Sequence, residues 1–328
     1  MRIEITEFEK TYGFQIETVA QLCGQNLRKK SYIFESLRRY FGGYKYSEEK
    51  NKWRDNVFID GREKGRKYYI VLSIAKKEDI ISYINISKKS ILLEFIKNKI
   101  IDFDCQKNLE LIQEQVEFIF GGLNQEIEQL GNITLDFKNE DLWNMVQSSY
   151  SCGKYGIKLE DMEEGELLEI LFNLVEKIQK SMPQRYMILI ENIDHMVSPS
   201  QYYALYDKMN QIAMQNENLF IVSLSLMKYP VLTKENLESI VVFNEVDFEL
   251  PDYEHLKDFL ENNYPYYREF SQEQILNICS NVIHRIGCGS YLMGVEENVI
   301  CKMINQSLML PESVEFIGTL EEKAFLQS

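Results

Sequence analysis

Between Leu22 and Ser31 the chain comes within one residue of a phosphate-binding loop. That near-match, Gly24-Gln25-Asn26-Leu27-Arg28-Lys29-Lys30-Ser31, constrains the fold more than any other stretch. A loop of the form G-x-x-x-x-G-K-[ST] needs a strand feeding it and a helix leaving it, so that backbone N–H groups face the phosphates. The flanks meet that demand. Residues 1–22 alternate charged and apolar side chains and read as one or two strands, broken near Gly13. After the loop, Ile33, Phe34, Leu37 and Tyr40/Phe41 recur at helical spacing. They predict a helix that starts near Ser31 as its N-cap, with Glu35 in the first turn, and ends at Gly42-Gly43. Arg38 and Arg39 project away from the apolar face.

Uninterrupted apolar runs place further strands. Tyr68–Ile74 reads as a strong strand and Val241–Phe243 as a short one, while Tyr186–Ile190 and Leu219–Leu224 lack the alternation of a half-exposed strand, as strands of a buried parallel sheet do. From about Ser87 to Leu130 the pattern turns helical, with Ile112, Val116, Ile119, Leu123, Ile127 and Leu130 spaced by three and four. Gly121-Gly122 is a weak point in that helix. A second long helix, from Glu164 to about Lys180, carries Leu167, Leu171, Leu174 and Ile178 on one stripe, and the two stripes are expected to pair. Helices are also predicted at 199–215, 253–262, 272–286 and 299–308. The fold class is α/β, with a mixed, mainly parallel sheet in a head over 1–86 and 183–250. A helical leg over 87–182 is inserted in that head, and a helical C-terminal addition covers 251–328.

The near-motif departs from a working nucleotide site at each chemical step. Gly24, Lys30 and Ser31 match, but Lys29 stands where a second Gly would let the backbone approach the phosphates. The strand Ile188-Leu189-Ile190 ends in Glu191-Asn192, where a metal-holding Asp and a water-activating Glu are required. No L-S-G-G-Q signature occurs. The expectation is the framework of a P-loop hydrolase of the ABC/SMC type with a degenerate site, Gly24, Lys30, Ser31, Glu191 and Asn192, and no ATP hydrolysis. Other catalytic constellations are weak. His195, His255 and His284 have no motif companions, and Glu160-Asp161-Met162-Glu163-Glu164 lacks the spacing of a calcium loop and reads as a solvated turn.

Charge supplies the second constraint. The whole chain carries -15, yet residues 28–67 hold thirteen Arg/Lys against six Asp/Glu, a local excess of +7. An acidic body with one basic segment suits a polyanion held on one surface. The bland alternative is a solvated charged helix and loop. Six scattered cysteines with no C-x-x-C pair suit a reducing compartment, and the first residues lack the pattern of a signal peptide. With no apolar run long enough to span a bilayer, the expectation is a soluble, cytoplasmic protein without a membrane partner.

Gly24-Gln25-Asn26, Lys30 through Phe41, Tyr44 through Asp55 and the strand end Ile190-Glu191-Asn192 together carry a resemblance. The sequence resembles the accessory spacer-acquisition proteins of type II-A CRISPR systems, the Csn2 family, in their long streptococcal-type form. The resemblance implies an ATPase-like head with an inserted helical leg. It further implies homo-tetrameric rings whose positive inner surface encloses linear double-stranded DNA and binds its ends without sequence preference. It implies calcium as a bound ion, though no residue of this chain is matched to a calcium ligand, and the Cas integrase and effector nuclease as partners in CRISPR adaptation. Basic residues in the corresponding part of the chain include Arg28, Lys29, Lys30, Arg38, Arg39, Lys45, Lys52, Arg54, Arg62, Lys64, Arg66 and Lys67. They are the expected phosphate contacts. Two other readings stand beside this one: an active P-loop ATPase, and a protein-interaction scaffold of the acquisition complex.

Overall fold

In the computed structural model, the residues described are 1–7, 9–42, 56–87, 90–101, 103–127, 151–226, 229–288 and 294–310. They form a mixed α/β protein with two compact units, 1–76 joined by 179–328, and 77–178. The expected boundaries lay at 86/87 and 182/183, and the expected C-terminal addition falls in the unit that holds the sheets.

That unit has two sheets. Strands β1 (Arg2–Glu7), β2 (Lys10–Gln15) and β4 (Val57–Ile59) make a small antiparallel sheet in the order β2-β1-β4. Ile3 faces Phe14 and Ile59, and Ile5 faces Tyr12 and Val57, so one side of this sheet is apolar and buried. The expected break at Gly13 is corrected. Gly13 sits inside β2 opposite Glu4, and a Cβ there would stand 2.5 Å from the Arg2 guanidinium. Arg2 crosses that space to Glu249 at 2.9 Å.

The larger sheet has six strands: β5 (Ile70–Ile74), β6 (Tyr186–Ile190), β7 (Leu219–Ser223), β3 (Val19–Cys23), β8 (Ile240–Phe243) and β9 (Asp247–Glu249), in that order. All neighbours run parallel except β8 and β9. Helix α1 (Leu27–Phe41) covers one face. Its Ile33, Phe34, Leu37, Tyr40 and Phe41, the face predicted from spacing, share one core with Leu22, Met187, Leu189, Ile221 and Val241 and with both apolar residues of β1. Alternate residues of the same strands face the other side, where Gln21 of β3 accepts from Tyr202 of the helix Pro199–Ala213 at 3.0 Å. Burial on both faces is why β6 and β7 read as unbroken apolar runs.

The unit 77–178 holds α2 (Lys77–Ile84), α3 (Ile91–Ile100), α4 (Phe103–Ile127) and most of α5 (Glu164–Ser181). α4 runs unbroken through Gly121-Gly122. The expected pairing of the two long stripes is corrected. Leu167, Leu171, Leu174 and Ile178 of α5 are buried, whereas Ile112, Ile119 and Leu123 of α4 are 55%, 59% and 43% exposed. A three-and-four spacing reports an amphipathic face, not what covers it. Continuing the helices in chain order, Pro199–Ala213 is α6, Tyr253–Asn263 is α7, Gln272–Val282 is α8 and Val295–Ser307 is α9. No described helix is long and apolar enough to cross a membrane.

Candidate nucleic-acid interface

The loop after β3, the turn after β6, the end of β7 and Asn244 after β8 meet at the carboxyl ends of the parallel strands. Open α/β sheets hold ligands at this end. Here Gly24 has φ +90, and a Cβ on it would lie 2.4 Å from the Phe243 carbonyl oxygen, so only glycine fits. Several backbone N–H groups of this loop have acceptors within the protein. Gly24 N–H donates to His284 Nδ1 (3.2 Å) and Gln25 N–H to Asn244 Oδ1 (2.7 Å). Asn26 N–H donates to the Phe243 carbonyl (2.8 Å), and Lys29 N–H to Asn26 Oδ1 (3.1 Å). Asn26, not Ser31, is therefore the N-cap of α1, and the helix starts at Leu27. Ser31 is exposed on the first turns.

Lys30 is 2% exposed, and its ammonium donates to the carbonyl oxygens of Gly24 and Leu224, both at 2.8 Å. Burial lowers its pKa, while Cys23 and Asp194 act to raise it. Lys30 staples its own loop to the end of β7, which removes it from the expected phosphate contacts. Lys29 pairs with Asp247 at 2.6 Å and donates to the Asn244 carbonyl at 3.2 Å. Asn192 takes a left-handed conformation (φ 52) and donates its N–H to Ser223 Oγ at 2.8 Å.

Sequence reasoning missed three residues at this end. Asp194 is buried, and its Oδ2 accepts from the Ser225 N–H (2.7 Å), the Ser225 hydroxyl (2.9 Å) and the Leu226 N–H (2.5 Å). Asn244 ties the loop to the C-terminal helical region by donating to the Ile286 carbonyl at 2.5 Å. His284 lies 260 residues from Gly24 in sequence, so no local pattern links them. Burial, with the Lys30 charge added, drives its pKa down to about 4. The neutral ring accepts at Nδ1 from Gly24.

The described basic residues divide between the two ends of α1. Arg28 is exposed at the N-terminal end, beside a cavity of about 530 Å³ that Glu7, Glu9, Lys10 and Tyr12 also line. Arg38 and Arg39 occupy the last turn, and both reach Glu35. The segment 62–67 packs at the same end: the Tyr40 hydroxyl donates to the Lys64 carbonyl at 2.8 Å, and the Arg66 guanidinium lies 5.9 Å from the Tyr40 ring centre. Arg62 and Lys67 are exposed. Lys45, Lys52 and Arg54 lie outside the described residues. Arg185, which sequence reasoning also missed, stacks on the next residue of this segment, Tyr68, at 4.6 Å from its ring centre. Among the described residues, no group of three or more carboxylate, imidazole or thiol side chains could hold a metal ion.

A family model described as CRISPR-associated protein Csn2 subfamily St matches residues 6–317. The chain belongs to the Csn2 family. A solved structure, Stu0660 of Streptococcus thermophilus, superposes with a TM-score of 0.83 at 19% identity, over 99% of this chain and 99% of that one. At that identity the likeness establishes the shared fold. The SmcHead bound to the C-winged helix domain of ScpA gives a TM-score of 0.40 at 15% identity, over 76% of this chain and 97% of that one. Among curated proteins none matches the sequence. Membership in Csn2 gives the chain a CRISPR-associated role, and the geometry above is the ground for what that role requires.

Proposed function

We propose that this Csn2 protein is a non-enzymatic binder of linear double-stranded DNA that acts in CRISPR adaptation as a homo-tetrameric ring. The observation that carries the reading is the concentration of Arg38, Arg39, Lys64, Arg66 and Lys67 at one end of α1 in a chain of net charge -15. Contacts of this kind reach phosphates and carry no base information, so binding is sequence-independent and driven by counterion release. The internally bonded loop supports the non-enzymatic part. Lys30 already serves two carbonyls, and His284 and Asn244 accept from the loop N–H groups of Gly24 and Gln25. The site is a degenerate P-loop: strand, glycine and helix persist, and the anion's place is filled from within. The Cas integrase and the effector nuclease are its proposed partners in acquisition.

Electrophoretic mobility of the protein with linear and with covalently closed circular duplex of one sequence tests the reading. Linear DNA is bound and closed circles are released as salt rises. Equal retention of both topologies overturns the ring. Calorimetry with ATP and magnesium tests the rest, and heat that vanishes in Lys30→Ala would restore an active nucleotide site.

A further inference from the structure

At the amino-terminal ends of β5, β6 and β7, opposite the closed loop, lies a cavity of about 490 Å³. Lys67, Tyr68, Arg185, Asn216 and Glu217 line it. The Glu217 carboxylate sits among donors there. Arg185 Nε donates to its Oε2 at 2.6 Å, and the Tyr68 hydroxyl donates to the same oxygen at 3.3 Å. The Arg185 guanidinium also lies over the Tyr68 ring, and the Lys64 ammonium stands 5.3 Å from that ring's centre. An arginine fork fixed by an aromatic face, with a phenol and lysines beside it, is a donor set that matches a phosphate as well as a carboxylate.

The carboxylate is held there at a conformational cost. Asn216 and Glu217 are consecutive non-glycine residues in the left-handed region, at φ 53 and 56. A buried amide network maintains that turn. Asn216 Nδ2 donates to Gln179 Oε1 at 2.8 Å, while Asn218 Oδ1 accepts from Gln179 Nε2 (2.9 Å) and from the Tyr186 N–H (2.8 Å). The ion pair itself is open to water, its side chains 43% and 64% exposed. Such pairs are weak and exchange readily for another anion. The cavity also continues the basic segment 62–67 through Lys64, Lys67 and Tyr68.

We propose that Lys67, Tyr68 and Arg185 form a site for a nucleic-acid phosphate, and that Glu217 occupies it as an internal stand-in until the polymer displaces it. The proposal rests on the DNA-binding reading for its ligand, and names Arg185 as a contact outside the basic segment. Fluorescence anisotropy with a short linear duplex at low salt tests it on wild type, Glu217→Gln, Arg185→Ala and the double variant, beside one control. Removing the stand-in tightens binding about two- to fivefold, the range of one exposed charge pair. Arg185→Ala weakens binding and abolishes the gain from Glu217→Gln in the double variant. Glu63→Gln, an exposed carboxylate in the same segment, is the control for bulk charge. An equal gain from Glu63→Gln, or a gain that survives loss of Arg185, overturns the site. If wild type binds no duplex, the DNA-binding reading falls instead. Inorganic phosphate, followed at the Arg185 Nε–H by NMR, then decides the anion site: a saturable shift in Glu217→Gln upholds it, and none removes it.

Discussion

Helix α1 carries lysine and arginine at both ends, about 20 Å apart along its fifteen residues, and the two ends do opposite things. At the N-terminal end Lys30 points inward to two carbonyl oxygens and Lys29 is paired with Asp247. At the C-terminal end Arg38 and Arg39 reach Glu35, Arg66 and Lys64 lie over tyrosine faces, and Arg62 and Lys67 face water. The difference teaches that a count of positive charge along a chain does not map phosphate contacts. A lysine beside unsatisfied backbone carbonyls becomes structural, whereas one over a half-buried tyrosine ring keeps its ammonium at the surface.

The sharpest way to break this contrast is Lys30→Ala. It leaves two buried carbonyls without donors and lowers unfolding free energy by roughly 2–5 kcal/mol in urea titration, with duplex affinity of the folded protein unchanged. A large loss of affinity with no loss of stability would reverse the assignment. Acid should act on the same end. His284 has a folded pKa of about 4 against an ordinary 6.5, so the unfolded chain binds the extra proton between those values. Stability therefore falls as pH drops from 6.5 towards 4, by at most roughly 3 kcal/mol. His284→Asn, which removes the titrating ring, should flatten that slope in thermal melts across the window.

At the other end, Arg66→Gln and Lys67→Gln should each lower the slope of log affinity against log salt by about 1 while moving the melting temperature little. Arg28→Gln, made as a comparison, should change that slope less than either. The smallest effect is expected from Lys29→Gln, whose partly exposed pair with Asp247 is worth less than about 1 kcal/mol of stability.

Much of the sheet was legible because burial on both faces writes itself into composition. The run Tyr186–Ile190 is the strand β6 to the residue, and the apolar face of α1 is the one its spacing predicts. The start of α1 was not, because a capping serine and a capping asparagine five residues apart offer the same side-chain oxygen. Asn26 prevails because its carboxamide meets the Lys29 N–H. The exposed stripe of α4 misled for a related reason: periodicity marks a face and is silent about its cover.

The buried strands, the apolar face of α1 and the family itself follow from local patterns that neighbouring residues impose on one another. The role of the near-motif does not. Whether Gly24-to-Ser31 cradles a phosphate depends on His284 and Asn244, which arrive from far along the chain and bond to the N–H groups of Gly24 and Gln25. The same holds for Arg185, brought to Tyr68 only when β6 pairs with β5. Backbone donors carry no signature of the acceptor that will reach them, so that choice is made by packing.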